Sequence, residues 1–417
     1  MLGILAEIFI FIGEKRKTHP NMKKTTFLLL TLLMLASCVE EFKIPKKVMD
    51  EYESEIVIQG RILAGEESVV YVSYTSQFNQ EIAAPAIRDA EVYIVGNDGY
   101  RSSVAEYEPE NNCYTVDTRS ISRNVQYAVE VKLDGETYQS DFLSIMDSPD
   151  IDEITYKENG DTIHNGISIH VTTFADDEDS RHYMWSYEEE WEFHAEIDIT
   201  RTPHEVPIYN ENWYPLESPN VNPYYYCWMS SVSRNVHIYS TSELNENSVK
   251  NIKLIDIPID DIRISYIYSI LVKQWSLSDD AYQYYKTLKK YTEESGGLFT
   301  PMPTEIHGNV SCISNPKKKA RGYVLASNVK NKRIFVYSSD FKEIIPQYEN
   351  CYMEIPGQTP NWEFSWLQRI DAFGHVVLSK SGKIDVDSRL YSRECVDCRE
   401  TKGSTKKRPA FWPNNHE

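Results

Sequence analysis

Apolar and polar residues alternate along much of the chain, which is typical of β-strands with one buried face. The pattern is clear in "EIVIQGRIL", "SVVYVSYTS", "DAEVYIVGNDGYRSSVAEY", "CYTVD" and "VQYAVEVKLDGETYQSDF". Asn-Asp-Gly and Asp-Gly turns lie within two of these runs. Short strands at even spacing, with no helical pattern between them, predict an immunoglobulin-like β-sandwich over residues 55–147, closed by Ser148-Pro149.

The alternation resumes in "IDEITYK", "GISIHVTTF" and "HYMWSYEEEWEFHAEI", where Tyr183, Trp185 and Tyr187 share one face of a predicted strand. These runs predict a second β-rich domain over residues 148–394. Within it, "ARGYVLASNVKNKRIFVYSS" predicts a hairpin that turns near Asn331 and returns the chain to the second sheet.

One segment, "SLSDDAYQYYKTLKKYTEESGG", follows a helical pattern instead. Ser278 is a good N-cap, Asp279 and Asp280 suit the first turn of a helix, and Gly296-Gly297 provide a stop. The segment predicts an inserted helix near residues 279–294. We expect one stripe of this helix to pack on a sheet: Ala281, Tyr284, Tyr285, Leu288, Tyr291 and Thr292.

Near the N-terminus, Lys23 and Lys24 precede an uncharged run, residues 27–36, that is too short to span a bilayer as a helix. The run is typical of a secretory signal, and Leu35-Ala36-Ser37-Cys38 looks like a bacterial lipobox. We therefore predict a signal peptide over residues 1–37, with Met22 as the true start, then a lipidated Cys38 with a tether over residues 38–54. The alternative is a plain signal peptide, or a buried strand, that ends near a chance cysteine.

The formal charge of −20 argues against sequence-independent binding to nucleic acid. Apart from Cys38, the chain has an even number of cysteines, as expected for disulfides in an oxidising compartment: Cys113, Cys227, Cys312, Cys351, Cys395 and Cys398. Their connectivity cannot be read from the sequence. The Cys395-Val-Asp-Cys398 motif also admits half a zinc site, a redox pair or free thiols, but no second ligand pair follows it. Residues 395–417 form a cysteine-containing tail.

Candidate catalytic groups are sparse, since the chain lacks the HExxH, GxSxG, Walker A and dinucleotide-binding motifs. His307 and His375 are interpreted as ordinary loop or core histidines. The carboxylate pairs Glu188 with Glu190 and Asp260 with Asp261 carry little weight in so acidic a chain. The run at residues 176–179 is interpreted as a solvated acidic turn, with calcium binding as the alternative. We expect no metal and no cofactor.

Aromatic residues are abundant, with 29 tyrosines and 8 tryptophans. Exposed tyrosine and tryptophan side chains give binding surfaces a large contact area at low entropic cost. The candidate binding surface consists of Trp213, Tyr214, Tyr224, Tyr225 and Tyr226. Its candidate ligands are a glycan, a peptide or a partner receptor. The alternative is that these aromatic rings pair with one another across strands or fill the space beneath loops.

Several ordered motifs, "EIVIQGRI", "YCW", "QWSLSDDAYQYYKTL", "GGLFTPMPTEIHGNVSC", "ARGYVLAS" and "CVDCRETKGSTKKRPAFW", resemble a Bacteroidetes outer-membrane lipoprotein family known as domain of unknown function 4249. Where relatives usually show Gly-Gly-Thr after the second cysteine of the last motif, this chain has Gly403-Ser404-Thr405. The resemblance implies a surface or periplasmic lipoprotein, frequently associated with TonB-dependent outer-membrane receptors. It implies no catalytic residues.

These observations together predict a non-enzymatic protein, lipid-anchored in the outer membrane, that helps a TonB-dependent receptor capture a nutrient. Val39-Glu40-Glu41 resembles a signal for export to the cell exterior, with a chance charged linker as the alternative. The alternative functions are a cell-surface adhesion or structural module, and a hydrolase whose carboxylates come from distant parts of the chain.

Overall fold

The computed structural model describes residues 54–75, 86–159, 166–176, 179–196, 225–233, 235, 237–294, 306–341, 395 and 397–413, and the backbone of short strands between 206 and 391. Every described residue belongs to one unit of the chain, Ser54–Ser76 with Gln80–Glu417. The predicted signal peptide, Cys38 and residues 39–53 lie outside the described residues, so their predictions stay predictions. Strands are numbered in chain order.

The first sheet has the order β19-β1-β2-β5-β4, with β20 also beside β1. Its strands are β1 (Ile56–Leu63), β2 (Glu67–Tyr74), β4 (Glu106–Glu108), β5 (Cys113–Asp117), β19 (Ala320–Arg321) and β20 (Val324–Ser327). Neighbours β1, β2, β5 and β4 pair antiparallel, whereas β19 and β20 run parallel to β1. The parallel pairs join residues more than 260 positions apart in the chain, such as Gly60 and Val324.

The second sheet has the order β18-β7-β6-β3, with β8 beside β6. Its strands are β3 (Glu91–Gly96), β6 (Gln126–Leu133), β7 (Glu136–Ser140), β8 (Leu143–Ser144) and β18 (Val310–Cys312). The β6–β7 hairpin turns at Asp134-Gly135, where both residues have positive φ, 51° and 78°. This is the backbone of the Asp-Gly turn that the sequence predicts.

Buried side chains from both sheets form one core, which makes this pair of sheets a sandwich. Ile58 and Val70 come from the first sheet, and Ile94 and Val129 come from the second, each at most 1% exposed. Because alternate residues of each strand point inward, the period of two in the sequence becomes one buried layer. Each such aliphatic side chain contributes about 1.5–3 kcal/mol on burial.

A second sandwich follows the same principle. One of its sheets has the order β16-β10-β9, and the other has the order β14-β11-β17-β21 with β15 beside β11. The strands are β9 (Glu153–Asn159), β10 (Gly166–Phe174), β11 (His182–His194), β14 (Tyr226–Val232), β15 (His237–Ser240), β16 (Ser248–Pro258), β17 (Ile267–Ser276) and β21 (Lys330–Tyr337). A further sheet, of order β13-β12-β23-β24-β22, contains β12 (Val206–Tyr209), β13 (Asn212–Trp213), β22 (Met353–Glu354), β23 (Val376–Ser379) and β24 (Arg389–Tyr391).

Strand β11 shows how the second core is built. Tyr183, Trp185 and Tyr187 are buried on its core face, the shared face that the alternation predicts. Glu189 lies on the same face and is only 4% exposed, but its Oε1 accepts hydrogen bonds from Tyr268 and Arg263, both at 2.8 Å. The buried carboxylate is therefore paired rather than orphaned.

Helix α1 (Asp279–Glu294) is where the sequence predicts it. Short 3₁₀ helices span Ile262–Ile264, Ser338–Asp340 and Cys398–Glu400. None of the helices in the described part of the chain combines the length and the hydropathy that crossing a bilayer requires. The prediction of a mainly β protein with one inserted α-helix is confirmed for the described residues.

The chain departs from the predicted order after α1. Strands β18, β19 and β20 complete the first sandwich, so residues 310–327 join the sheets formed by the predicted segment 55–147. The predicted hairpin near Asn331 is wrong, because β20 pairs with β1 while β21, which contains Asn331, pairs with β17. The predicted return of the chain to a sheet of the second β-rich domain is confirmed by that β17–β21 pairing. All four residues of β20 are buried, which suits a strand inside the structure, and alternation alone does not reveal a parallel partner.

Candidate functional site

Helix α1 stands between the two sandwiches, and its start is fixed by local chemistry. The Ser278 Oγ accepts a hydrogen bond from the Ala281 backbone N–H at 3.3 Å, as expected of an N-cap. Ala281 is 2% exposed and packs with Leu63 and Leu325 of the first sandwich and with Trp275 of the second. The helix is therefore held by both sandwiches.

Tyrosines on α1 strengthen this junction. Tyr284 stacks on Tyr323 with ring centroids 4.7 Å apart, and Tyr285 meets the same ring edge-on at 6.2 Å. Burial raises the pKa of Tyr284, Tyr285 and Tyr323 above the ordinary value, so these phenols stay neutral at physiological pH. Nearby, the Arg61 guanidinium lies 5.2 Å from the Trp275 ring and links β1 to β17.

A cleft of about 700 Å³ runs along the N-terminal half of α1, where the helix faces the first sandwich. Its polar lining combines carboxylates, amides, hydroxyls and one imidazole: Asp141, Asp280, Gln126, Gln283, Ser144, Thr287 and His307. Phe142, which is 40% exposed, adds an apolar surface. A pocket of this size with a few convergent polar groups suits a small molecule or a short oligomer as its ligand.

The other side of α1 borders a second cavity of about 630 Å³, and Gln283 lines both spaces. In this second cavity the His182 Nε2 lies 2.9 Å from the Asp279 Oδ1, and the imidazole stacks on Tyr282 at 4.3 Å. The His182 Nδ1 is buried with no hydrogen-bond partner among the described residues. These contacts tie the start of β11 to the first turn of α1.

The carboxylate pairs noted in the sequence lie elsewhere, and structural partners are described for Glu188, Glu190 and Asp261. Glu188 forms an ion pair with Lys273 at 2.5 Å, and Glu190 forms one with Arg333 at 2.7 Å, both on the outer face of β11. Asp261 caps the short helix at Ile262–Ile264 and holds Arg263 at 2.8 Å. These carboxylates stabilise the second sandwich and do not line the cleft.

The predicted aromatic surface is described only in part. Trp213 belongs to β13, of which the backbone alone is described, and Tyr214 and Tyr224 lie outside the described residues. Tyr225 stacks on His194 at 4.6 Å and meets Tyr226 edge-on at 4.7 Å. The two described tyrosines therefore belong to an aromatic group at the end of β11, away from the cleft residues.

The cysteines follow two patterns. Cys227 and Cys398 form a disulfide, and Cys395 is also disulfide-bonded, while Cys351 lies outside the described residues. Cys113 and Cys312 are buried free thiols, which corrects their assignment as disulfide candidates. They lie on β5 and β18, in opposite sheets of the first sandwich, and burial raises the pKa of the Cys113 thiol. A buried cysteine packs as a small apolar side chain, so an even count does not imply pairing.

Of the acidic run at residues 176–179, the two ends are described, and the Asp176 N–H donates to the Asp179 Oδ2 at 3.1 Å, while residues 177 and 178 lie outside the described residues. Within the described ranges, no group of three or more His, Cys, Asp or Glu side chains is placed to hold a metal ion. His307, which the sequence assigns to an ordinary turn, is exposed and lines the cleft. No local motif marks it, because the cleft is assembled from segments far apart in the chain.

The fold and the cleft define a class: two β-sandwiches bridged by one helix, with a ligand-sized space beside that helix. The chain belongs to the family described as Domain of unknown function (DUF4249), whose model matches residues 40–333. The matched range covers the first sandwich, α1 and the second sandwich as far as the middle of β21. A comparison with curated protein sequences found no match.

Proposed function

We propose that the protein is a non-enzymatic lipoprotein of the outer membrane that works with a TonB-dependent receptor in capturing a nutrient. The lipobox-like sequence ending at Cys38 and the acidic residues after it support the anchor and its exposure at the cell surface. The resemblance to Bacteroidetes lipoproteins supports the receptor partner. The cleft beside α1 supports the capture of a ligand.

The cleft is the observation that carries the proposal. Both sandwiches contribute to it through α1, so a ligand there contacts the helix and the first sandwich together. Asp280 and Gln283 are exposed on α1, and neither side chain has a described hydrogen-bond partner. Together with Phe142 they offer hydrogen bonds and an apolar face, which suits a glycan or a peptide.

The test is an affinity pull-down from native outer membranes, with the protein tagged at its C-terminus and Cys38 intact. We expect a TonB-dependent receptor in stoichiometric amount. The matched control is the Cys38→Ala variant. It should be absent from the membrane fraction and should not recover the receptor. If the lipidated protein stays in the membrane and brings down no receptor, the uptake role is contradicted and the adhesion role gains support.

A second test addresses the cleft without the receptor. Phe142→Ala and Gln283→Ala should each weaken the binding of the cognate glycan or peptide, screened on glycan and peptide arrays with purified protein. Phe174→Ala, which truncates another exposed phenylalanine on β10, is the control and should bind as the parent does. Equal binding by all three variants would place the ligand elsewhere.

A further inference from the structure

The C-terminal segment 395–413 is basic, although the chain as a whole is acidic. It contains five cationic residues and two carboxylates: Arg399, Lys402, Lys406, Lys407 and Arg408 against Asp397 and Glu400. The remainder of the chain is correspondingly more negative than the overall charge of −20. We call residues 395–413 the basic strap.

The basic strap is attached to the second sandwich near its beginning, its middle and its end. The Cys227–Cys398 disulfide holds its beginning, and Thr405 exchanges backbone hydrogen bonds of 2.8 and 2.9 Å with Trp228. At its end Trp412 is 5% exposed, and its Nε1 donates to the buried Glu192 at 2.6 Å. The strap therefore presents its side chains from a fixed backbone.

Two of the five cations are engaged within the strap. Arg399 forms a bidentate pair with Asp397, at 2.9 and 2.7 Å, and Arg408 donates to the Trp412 carbonyl at 3.0 Å. Lys402, Lys406 and Lys407 are exposed, and in the described part of the chain no carboxylate lies within 4.0 Å of their amines.

Although the Lys406 residue is exposed as a whole, its amine donates to the Tyr226 carbonyl, and the partial burial of the amine there, followed by the charge of Arg399, lowers its pKa. The charges of Asp397 and Glu192 act in the opposite direction on this pKa but do not offset the effect of burial.

An exposed aromatic side chain accompanies these lysines. Phe411 is 43% exposed, and the Arg333 guanidinium lies 3.7 Å from its ring centroid. Lys406 lies 6.0 Å from the ring of Trp228, which packs in the same cluster as Trp412. Lys406 and the exposed Phe411 ring therefore border one small apolar cluster, which consists of Trp228, Ile267 and Trp412.

We propose that the basic strap binds the anionic phosphate headgroups of a lipid surface, with Lys402, Lys406 and Lys407 on the phosphates and Phe411 in the interfacial layer. Clustered lysines next to an exposed aromatic ring are the chemistry that peripheral proteins use at anionic membranes. The acidic remainder of the chain is repelled by such a surface, so contact through the strap fixes one orientation. The proposal uses the predicted anchor at Cys38 only to bring the strap to a membrane.

The test measures binding of the unlipidated chain, Val39 to Glu417, to vesicles of phosphatidylglycerol and phosphatidylcholine, with pure phosphatidylcholine vesicles for comparison. We expect binding to the anionic vesicles alone, and its loss at about 0.5 M salt. The triple variant Lys402→Gln, Lys406→Gln, Lys407→Gln should bind on the order of 100-fold more weakly, since each lysine near an anionic surface contributes about a factor of five. The matched control replaces three other exposed lysines, Lys132, Lys286 and Lys290.

Further variants and probes separate the outcomes. Phe411→Ser should weaken vesicle binding without changing its dependence on salt. Equal binding by the strap variant and the control variant would overturn the proposal, as would absent binding by the parent chain at low salt. Lysine-dependent binding to alginate but not to vesicles would also overturn it in favour of an anionic glycan. The vesicle assay contains no receptor. Its result is therefore independent of the receptor pull-down, and failure of one proposal can be distinguished from failure of the other.

Discussion

Gly322 lies between β19 and β20. Its lack of a side chain allows its backbone to lie close to the backbone of Ile58 on β1 and to that of Gly308 beside the cleft. The φ of Gly322 is +103°, and a methyl group there would overlap the Ile58 carbonyl oxygen of β1 and lie 2.7 Å from the carbonyl carbon. Gly322→Ala therefore requires the two backbones to separate. That movement also disturbs the hydrogen bond of 3.1 Å from the Gly60 N–H to the Tyr323 carbonyl.

The cost of Gly322→Ala has separable parts. Placing alanine at positive φ costs about 1–2 kcal/mol, and relieving the overlap adds about 1–3 kcal/mol. Weakening one backbone hydrogen bond adds about 1 kcal/mol. We expect a total loss of about 3–6 kcal/mol in the free energy of unfolding. The matched control is Gly99→Ala, because Gly99 has φ of +92° with nothing within 4 Å of the added methyl group, so that only the positive-φ cost applies.

The assay is urea denaturation of both variants and the parent, followed by tryptophan fluorescence and circular dichroism. Gly322→Ala should unfold at clearly lower urea than Gly99→Ala, with a difference of about 2–4 kcal/mol. A difference below about 0.5 kcal/mol would refute the reasoning, because it would mean that β1 and β20 separate without a measurable penalty. The variant should also lose ligand binding in the cleft, since Tyr323 and Val324 line it.

Three further outcomes are expected. Replacing both cysteines of the Cys227–Cys398 disulfide with serine should cost about 2–5 kcal/mol and should accelerate tryptic cleavage within the basic strap, measured by mass spectrometry; unchanged cleavage would contradict the fastening role. Burial raises the pKa of Tyr183 and Tyr187 to about 12, so the folded state keeps protons that the unfolded state releases. Stability should be intact below pH 10 and fall as the pH rises from 10 through 12, by on the order of 2 kcal/mol per tyrosine; Tyr187→Phe should reduce the fall, and an identical fall in both proteins would exclude this phenol as its source. Ser278→Ala should cost about 1 kcal/mol and increase amide exchange in the first turn of α1, whereas protection equal to the parent would show that the cap is dispensable.

The strands and the helix were predictable because each has a local signature. Alternation places Tyr183, Trp185 and Tyr187 on one face, and the side chain of Ser278 can satisfy a helix N–H wherever that serine precedes a helical pattern. Pairing between strands has no comparable signature. The four buried residues of β20 are equally compatible with one strand of a hairpin and with a parallel partner of β1. The pairing depends on β1, which is distant in the sequence.

The candidate site was less accessible to prediction for the same reason. Asp141, Gln283 and His307 meet around one cleft although more than 160 residues separate the first from the last. The disulfide likewise joins Cys398 to Cys227, which lies 171 residues away, rather than to the nearby Cys395. The candidate aromatic surface near residue 225 stays a prediction, since its described members, Tyr225 and Tyr226, contact His194 and each other, and Tyr214 and Tyr224 lie outside the described residues.

The parallel pairing of β1 with β20 also determines the order in which the parts of the first sandwich can fold. During synthesis from the N-terminus, β1 emerges early, yet its parallel partner β20 lies beyond most of the second sandwich and α1. One edge of β1 therefore lacks its backbone hydrogen bonds until some 260 further residues have been synthesised. The pairing of strands so far apart in the chain is intrinsically slow. The first sandwich is begun first but closes late, so an interruption after residue 300 leaves an open β-sheet edge that favours association with other chains.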